Sequence, residues 1–314
     1  MKEQITISLQ SEYDAHPLSV LELVPEKVRG VLQIVHGMSE YKERYLPFME
    51  YMADRGFVCV IHDHRGHGAS IYKEEDLGYM YNGRGRALVG DILQVNTWIR
   101  EKWEGLPFVL LGHSMGSLAV RAFAKKHDDR MDMLVVCGSP SKNPALKMGK
   151  AIASIQRGLF GPRHKSRLIE TLSFGGYAAR FPGEKNKNAW VCSNPQVITE
   201  YSESSLCGFT FSVDGYQALF DLMEETYSEK GWDMKNPKLP ILFISGAEDP
   251  CLGNVRKFAQ TVQHMRLRGY HDVKGKLYPG MRHEILNETE KEKVYHDVYV
   301  YVMKKLYPTD SGKE

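Results

Sequence analysis

The stretch Leu110-Leu111-Gly112-His113-Ser114-Met115-Gly116-Ser117 is an apolar run that breaks at a glycine, presents one serine and continues as an amphipathic pattern. Residues 108–111 have the length and continuous apolarity of a strand buried on both faces. After Ser114, apolar residues recur at helical spacing up to the charged residues 125–130. A G-x-S-x-G pattern between a strand and a helix is typical of a nucleophile elbow, so we predict that Ser114 is a nucleophile. The plainer alternative is a serine that caps a helix beside a glycine turn.

The residues around Ser114 have specific backbone roles in this interpretation. Gly112 and Gly116 are expected where the turn brings the strand and helix backbones too close together for a side chain. Ser114 is expected to adopt strained backbone angles that lift its hydroxyl clear of the sheet. Because Met115 opens the helix, its N–H and the positive end of the helix dipole would point at a developing oxyanion.

Length, charge and cysteine content limit the class of protein. The chain of 314 residues can form one large α/β domain or two smaller ones, and its net charge of +2 does not indicate nucleic acid as a partner. The five cysteines are odd in number and widely spaced, which favours free thiols in a reducing compartment. The first residues lack the apolar core of a signal peptide, and no run approaches the ~20 apolar residues of a membrane span. We therefore expect a cytoplasmic protein without a transmembrane segment.

Predicted strands and helices alternate along most of the chain. Residues 5–9 and 20–24 predict an antiparallel hairpin at a sheet edge, and later strands alternate with amphipathic helices. This order indicates an α/β fold with a mostly parallel, doubly wound sheet of about eight strands. The alternation stops after residue 140 and resumes at about residue 240, and a stretch of that length is too long for a loop. We predict a core formed by residues 1–140 and 236–314, with residues 141–235 inserted as a helical lid.

The predicted lid divides into a basic and an acidic half. Residues 141–192 carry ten Lys or Arg against two Glu, whereas residues 193–233 carry one Lys against eight Asp or Glu. Such charge runs usually mark a solvated face. The functional alternative is that the basic half makes transient contact with anionic head groups or lipid surfaces.

Two further polar residues follow predicted strands. A serine nucleophile needs a base and a carboxylate that orients the base, and sites in doubly wound sheets lie beyond the carboxyl ends of the strands. Asp249 and His283 both occupy such positions, so we predict His283 as the base and Asp249 as the orienting carboxylate. The N–H of Met38, in the loop after the third strand, is the candidate for a second oxyanion donor beside that of Met115. The plainer alternative for this loop is an ordinary turn in which Gly37 has a positive φ.

Taken together, these motifs resemble bacterial members of the α/β-hydrolase group that contains monoacylglycerol lipases and lysophospholipases. The matching residues are His36-Gly37 and Glu40, Asp63-x-Arg65-Gly66-His67-Gly68-x-Ser70, Gly112-His113-Ser114-Met115-Gly116, Leu206-Cys207-Gly208-Phe209, Gly246-x-x-Asp249, and Gly280-x-Arg282-His283-Glu284 with Asn287-Glu288. The resemblance implies the α/β-hydrolase fold, the roles given above for Ser114, His283 and Asp249, and oxyanion donation by Met38 and Met115. It also implies a lid that shapes an acyl channel. The candidates to line that channel, each of which can equally belong to the lid core, are Ile152, Ile155, Leu159, Phe160, Leu206 and Phe209.

Three rival interpretations remain at this point. His62-x-His64-x-x-His67 is similar to a metal motif, but the motif needs an acidic residue where Gly66 stands, and we expect these histidines to form a hydrogen-bonded loop that braces the site. A peptidase of the same fold would need a lid carboxylate for the ammonium group of its substrate, and a non-catalytic binder would need no complete triad. We predict a serine hydrolase that cleaves esters of single-acyl lipids, namely monoacylglycerols or lysophospholipids. We expect it to need no cofactor and no metal ion.

Overall fold

The strands of the protein form one sheet. We describe residues 2–308 from a computed structural model. The strands are β1 (Glu3–Gln10), β2 (Pro17–Val24), β3 (Gly30–Val35), β4 (Phe57–His62), β5 (Phe108–His113), β6 (Met133–Cys137), β7 (Ile241–Gly246) and β8 (Val273–Tyr278). Their spatial order is β1-β2-β4-β3-β5-β6-β7-β8. β2 pairs antiparallel with β1 and with β4, and all other neighbours pair parallel. The predicted mostly parallel sheet with an antiparallel edge hairpin is therefore confirmed.

Helices cover both faces of this sheet. They are α1 (Leu46–Ala53), α2 (Arg84–Lys102), α3 (Met115–His127), α4 (Leu146–Phe160), α5 (Arg167–Phe174), α6 (Pro195–Glu203), α7 (Val213–Tyr227), α8 (Val255–Leu267) and α9 (Lys291–Leu306). Along β5, Phe108 and Leu110 join the apolar core under α2 and α3, whereas Val109 and Leu111 join the core under α1 and α9. This alternation follows from the period of two residues in a strand. It explains why the central strands read as continuous apolar runs.

The order of the central strands sets the position of the site. The chain passes from β3 to β4 on one side and then returns to β5 on the other side of β3. In doubly wound sheets, the loops that leave adjacent strands at such a reversal diverge and open a crevice at the carboxyl ends. The loop after β3 and the turn after β5 both lie at this reversal.

Four helices, α4 to α7, lie between β6 and β7, in the part of the chain for which a lid is predicted. Its two charged halves meet, because the basic helix α4 packs against the acidic helix α7. Lys150 lies 3.2 Å from Asp221, and Arg157 lies 3.2 Å from Asp214. Part of the charge asymmetry in the sequence is thus internal ion pairing. The domain boundaries at residues 140 and 235 stay a prediction.

Among residues 2–308, none of the helices has both the length and the apolarity needed to span a bilayer.

Candidate active site

The turn between β5 and α3 holds Ser114 in an unusual backbone conformation. Its φ is 52° and its ψ is −116°, values that L-residues rarely adopt, as expected for a strained elbow. A Cβ on Gly112 would lie 2.4 Å from the carbonyl oxygen of Gly116, so strand and helix do approach too closely for a side chain. A Cβ on Gly116 would lie 2.1 Å from the carbonyl oxygen of Val35. The second glycine is therefore required by contact with the end of β3 rather than with its own strand.

Ser114, His283 and Asp249 lie together beyond the carboxyl ends of β5, β8 and β7. His283 Nε2 is 2.8 Å from Ser114 Oγ, and His283 Nδ1 is 2.9 Å from Asp249 Oδ2. Asp249 is fully buried, and its carboxylate also accepts hydrogen bonds from the Cys251 N–H at 2.8 Å and the Ser245 hydroxyl at 3.1 Å. These extra donors fix the carboxylate, which in turn fixes the ring of His283. The arrangement has the geometry of a nucleophile, a base and an orienting group.

The loop after β3 lies against the serine. A Cβ on Gly37 would be 3.1 Å from the Ser114 Cβ, and Gly37 does not have a positive φ, so the plain-turn alternative is wrong in this detail. The Gly37 N–H donates to Glu40 Oε1 at 2.5 Å, and the Ser39 N–H donates to His67 Nε2 at 3.1 Å. Within the described chain, the N–H of Met38 between them donates to no other protein group. The flanking amides are thus occupied, and the amide predicted as an oxyanion donor stays available.

Glu40 joins this loop to the residue before the serine. Besides the Gly37 N–H, its Oε1 accepts hydrogen bonds from the Tyr45 hydroxyl at 2.9 Å and from His113 Nδ1 at 3.0 Å. Burial alone would raise the pKa of Glu40, but the hydrogen bond from His113 and the charges of His113 and Arg44 lower it to about 2. Burial alone would lower the pKa of His113, but the hydrogen bond and charge of Glu40 raise it above its ordinary value. An ionised carboxylate therefore couples the oxyanion loop to the elbow.

Two histidines of the His62–His67 segment, His64 and His67, brace the same loop. His36 Nε2 accepts a hydrogen bond from the His64 N–H at 2.9 Å, and His67 holds the Ser39 N–H as described above. Burial lowers the pKa of His64 and of His67 to about 3, so both rings are neutral at physiological pH. The predicted hydrogen-bonded bracing role is thus confirmed for His64 and His67. It is wrong for His62, whose two buried ring nitrogens have no hydrogen-bond partner among the described residues.

A cavity of about 170 Å³ adjoins Ser114 and His283, bounded by residues of the core and of α5 and α7. Its apolar lining includes Met38, Leu118, Phe209, Leu219, Phe220 and Met223. Of the residues considered for an acyl channel, only Phe209 lines this cavity. Ile155, Leu159 and Phe160 are instead 60–70% exposed, so their assignment to the channel is wrong. The helical pattern of α4 is as predicted. Ile152 packs against the core, but Ile155, Leu159 and Phe160 point to solvent.

The cavity also has polar contributors that sequence reasoning missed. Glu170 of α5 lines it, as do Trp190, whose ring centroid is 5.3 Å from that of His283, and Cys251, whose Sγ is 4.0 Å from His283 Nε2. Asp249, Cys251 and His283 have donor atoms within 4.8 Å of one another, a spacing that could hold a metal ion. Burial, followed by the charge of Asp249, raises the pKa of the Cys251 thiol well above its usual range, which makes it a poor ligand. The one signal in the sequence for Cys251 at this site was its position two residues after Asp249.

Comparisons with known proteins agree with the fold and the motifs. The family described as serine aminopeptidase, S33, matches residues 26–290. The phospholipase YtpA of Bacillus subtilis is 25% identical over 85% of this chain and 92% of its own length, and the monoacylglycerol lipase of Mycolicibacterium smegmatis is 24% identical over 88% and 89%. A thermostable carboxyl esterase from Bacillus coagulans superposes with a TM-score of 0.88 at 24% identity, covering 96% of this chain and 99% of that one. The resemblance to monoacylglycerol lipases and lysophospholipases is confirmed, and the chain belongs to the α/β-hydrolases of the serine aminopeptidase S33 family.

Proposed function

We propose that this protein is a serine hydrolase that cleaves the carboxylic ester of single-acyl lipids, monoacylglycerols or lysophospholipids, through an acyl-enzyme on Ser114. The observation that carries the proposal is the chain of hydrogen bonds from Ser114 to His283 to Asp249, at 2.8 and 2.9 Å, beside a largely apolar cavity. A hydroxyl so placed can lose its proton to His283 as it attacks. The apolar lining supports an acyl chain as the bound group.

The proposed reaction has two halves. Ser114 Oγ attacks the ester carbonyl carbon while His283 Nε2 takes its proton, and the N–H groups of Met38 and Met115 hold the oxyanion. His283 then gives the proton to the departing alcohol oxygen, which leaves an ester of the fatty acid with Ser114. Water, deprotonated by His283, attacks that ester, and the fatty acid leaves as Ser114 recovers its proton.

The direct test removes the nucleophile. Ser114→Ala should lower the hydrolysis of monolauroylglycerol by at least about 10⁵-fold while the protein stays folded, because the remaining groups cannot form an acyl-enzyme. Ser139→Ala is the matched control, because Ser139 is a buried serine just beyond β6 that does not line the cavity. Activity retained in Ser114→Ala would refute the assignment. A folded wild type with no turnover would favour the non-catalytic binder.

A peptidase of the same fold is the second candidate, and one specific observation favours it. Glu170 places a lid carboxylate in the cavity, where a peptidase would need one for the ammonium group of its substrate. The discriminating measurement is turnover of amino-acid p-nitroanilides with a free amino group against p-nitrophenyl esters of fatty acids. Faster turnover of the anilides would transfer the assignment to the peptidase.

We further propose that the lid docks on lipid surfaces, with an apolar face leading. Large side chains that are 52–70% exposed cluster on α4 and α5: Met148, Ile155, Leu159, Phe160, Leu168 and Leu172. Apolar helix faces flanked by basic residues lie in membrane interfaces. Lys150 and Arg157 are paired with carboxylates of α7. We therefore assign the attraction to anionic head groups to Lys142 and Lys147 instead. The five cysteines are all buried free thiols, which supports the proposed cytoplasmic location.

The docking proposal is tested by removing apolar area without removing charge. Leu159→Ser with Phe160→Ser should lower the partition coefficient onto neutral phosphatidylcholine vesicles, measured by sedimentation, by about 100-fold or more. Each side chain contributes about 1.5–3 kcal/mol when buried, so the two together contribute at least about 3 kcal/mol. Leu267→Ser is the control, because Leu267 is 66% exposed on α8. Equal losses for the lid and the control variants would contradict docking by the lid.

A further inference from the structure

Glu170 is a carboxylate without a cationic partner in the candidate active site. It lies on α5, is half-buried and lines the cavity that contains Ser114 and His283. Its Oε2 accepts a hydrogen bond from the Thr210 hydroxyl at 2.8 Å. Across the described residues 2–308, no Lys, Arg or His forms an ion pair with it. Its negative charge is therefore presented to whatever enters the cavity.

The other two carboxylates at the cavity, unlike Glu170, are paired with cationic side chains: both bind Arg44, and Glu40 also binds His113. Arg44 binds Glu284 through two hydrogen bonds of 2.6 Å and Glu40 through one of 3.0 Å. The face of its guanidinium lies over the ring of Tyr201, 5.0 Å from the centroid. Arg44 is thus surrounded by protein groups and offers nothing to a bound anion.

The described lining of the cavity contains no Lys or Arg. Proteins bind phosphate groups with Arg, with Lys or with the N-terminus of a helix. The helix N-terminus at this site belongs to α3, whose Met115 N–H is assigned to the oxyanion. His113 lines the cavity too, but it is paired with Glu40, so a phosphate in the cavity would face Glu170 without a free Lys or Arg to compensate its charge.

The position of Glu170 relative to the acyl chain follows from polarity. The apolar lining comes from α3, α7 and Phe209, and from an aromatic group formed by Phe174, Tyr177 and Trp190. A hydrocarbon chain gains free energy only against such apolar surface. Glu170 and Ser173 lie one turn apart on α5 and both line the cavity, and Asn188 adds a third polar side chain. A carboxylate covered by a hydrocarbon would lose its hydration at a high cost, so the part of the cavity next to Glu170 suits the alcohol part of the ester.

We propose that Glu170 determines head-group specificity: it admits neutral alcohols such as glycerol, and cationic groups, and rejects head groups with a net negative charge. The inference rests on the proposed ester hydrolysis and narrows its substrate class to monoacylglycerols in preference to anionic lysophospholipids. Glu170 acts on binding of the leaving alcohol and takes no part in the transfer of the acyl group.

The test compares two esters that differ only in the head group. The kcat/KM for 1-monolauroylglycerol and for 1-lauroyl-lysophosphatidylglycerol is measured in neutral mixed micelles, so that surface charge does not differ between them. Wild type should prefer the glyceride. Glu170→Gln should reduce this preference by about tenfold, and Glu170→Lys by about 100-fold, through a lower KM for the anionic ester at nearly constant kcat. Glu170→Asp, which keeps the charge, should keep the preference.

The controls separate this inference from the proposed function. Glu200→Gln removes an exposed lid carboxylate on α6 that does not line the cavity, and it should leave the preference unchanged. If Glu170→Gln alters both substrates by the same factor, or neither, the specificity role is refuted while glyceride hydrolysis still stands. A wild type that prefers the anionic ester refutes it as well. If the wild type cleaves neither ester, the proposed function itself fails, and this inference fails with it.

Discussion

Replacing Asp249 by asparagine is a precise test of the hydrogen-bond chain at the site, because the shape is kept and one acceptor becomes a donor. The Cys251 N–H requires an acceptor from residue 249, so the amide oxygen of the asparagine would stay at the Oδ1 position. Its NH₂ group would then face His283 Nδ1, which must accept. The ring proton would consequently lie on Nε2 and point at Ser114 Oγ. His283 would be held in the tautomer that cannot take a proton from the serine.

The size of the effect follows from what reaction would then cost. Restoring the reactive tautomer places two buried donors against each other, at about 1–3 kcal/mol each, and the positive ring formed during attack also loses the carboxylate. A total of about 5 kcal/mol corresponds to a fall in kcat of about 10⁴-fold. The assay is the hydrolysis of p-nitrophenyl laurate at equal concentrations of folded protein. Asp54→Asn, at a side chain that is 58% exposed on the surface, is the matched control. A kcat within tenfold of wild type in Asp249→Asn would refute the assigned role.

Two further predictions concern stability. Because the pKa of Glu40 is lowered from 4.5 to about 2, its ionised form stabilises the fold above pH 4.5, and this contribution is lost as the pH falls toward 2. Glu40→Gln should therefore lower the free energy of unfolding by about 3 kcal/mol at pH 7, and this difference from wild type should shrink below pH 4.5. Urea unfolding at several pH values measures the difference. A difference that does not depend on pH would contradict the ionic network. Gly116→Ala should prevent stable folding, because its Cβ would lie 2.1 Å from the Val35 carbonyl oxygen. The control is Gly90→Ala in α2, where the new Cβ has open space around it. This control should raise the free energy of unfolding by about 0.5–1 kcal/mol. Thermal unfolding of both variants measures these changes in stability. A stable Gly116→Ala protein would refute the close contact.

The sequence was sufficient to predict the sheet and the convergence of Ser114, His283 and Asp249. Strands β3 to β7 are apolar at nearly every position, so their ends are visible in the sequence, and residues that follow parallel strands gather at one edge. Ser114 and Asp249 each stand within a few residues of such an end, whereas His283 follows the edge strand β8, whose sequence is partly polar. Their convergence needs only the order of the strands and no knowledge of side-chain packing.

The surroundings of that site could not be predicted from sequence patterns. Glu40 and His113 are 73 residues apart, and nothing local distinguishes a carboxylate that meets a histidine from one that meets water. The exposure of α4 was missed for a related reason. An apolar stripe that contains Ile155 and Leu159 has the same periodicity whether it faces a cavity, a core or a lipid surface.

The most direct test of the central claim is mass spectrometry of the protein after reaction with a fluorophosphonate, on wild type and Ser114→Ala in parallel. A base that lies 2.8 Å from the Ser114 hydroxyl should activate it for phosphonylation. We predict one adduct per chain in the wild type, on the peptide that contains Ser114, and none in the variant. A folded wild type without an adduct, or an adduct on another residue that persists in Ser114→Ala, would contradict the assignment of Ser114 as the nucleophile.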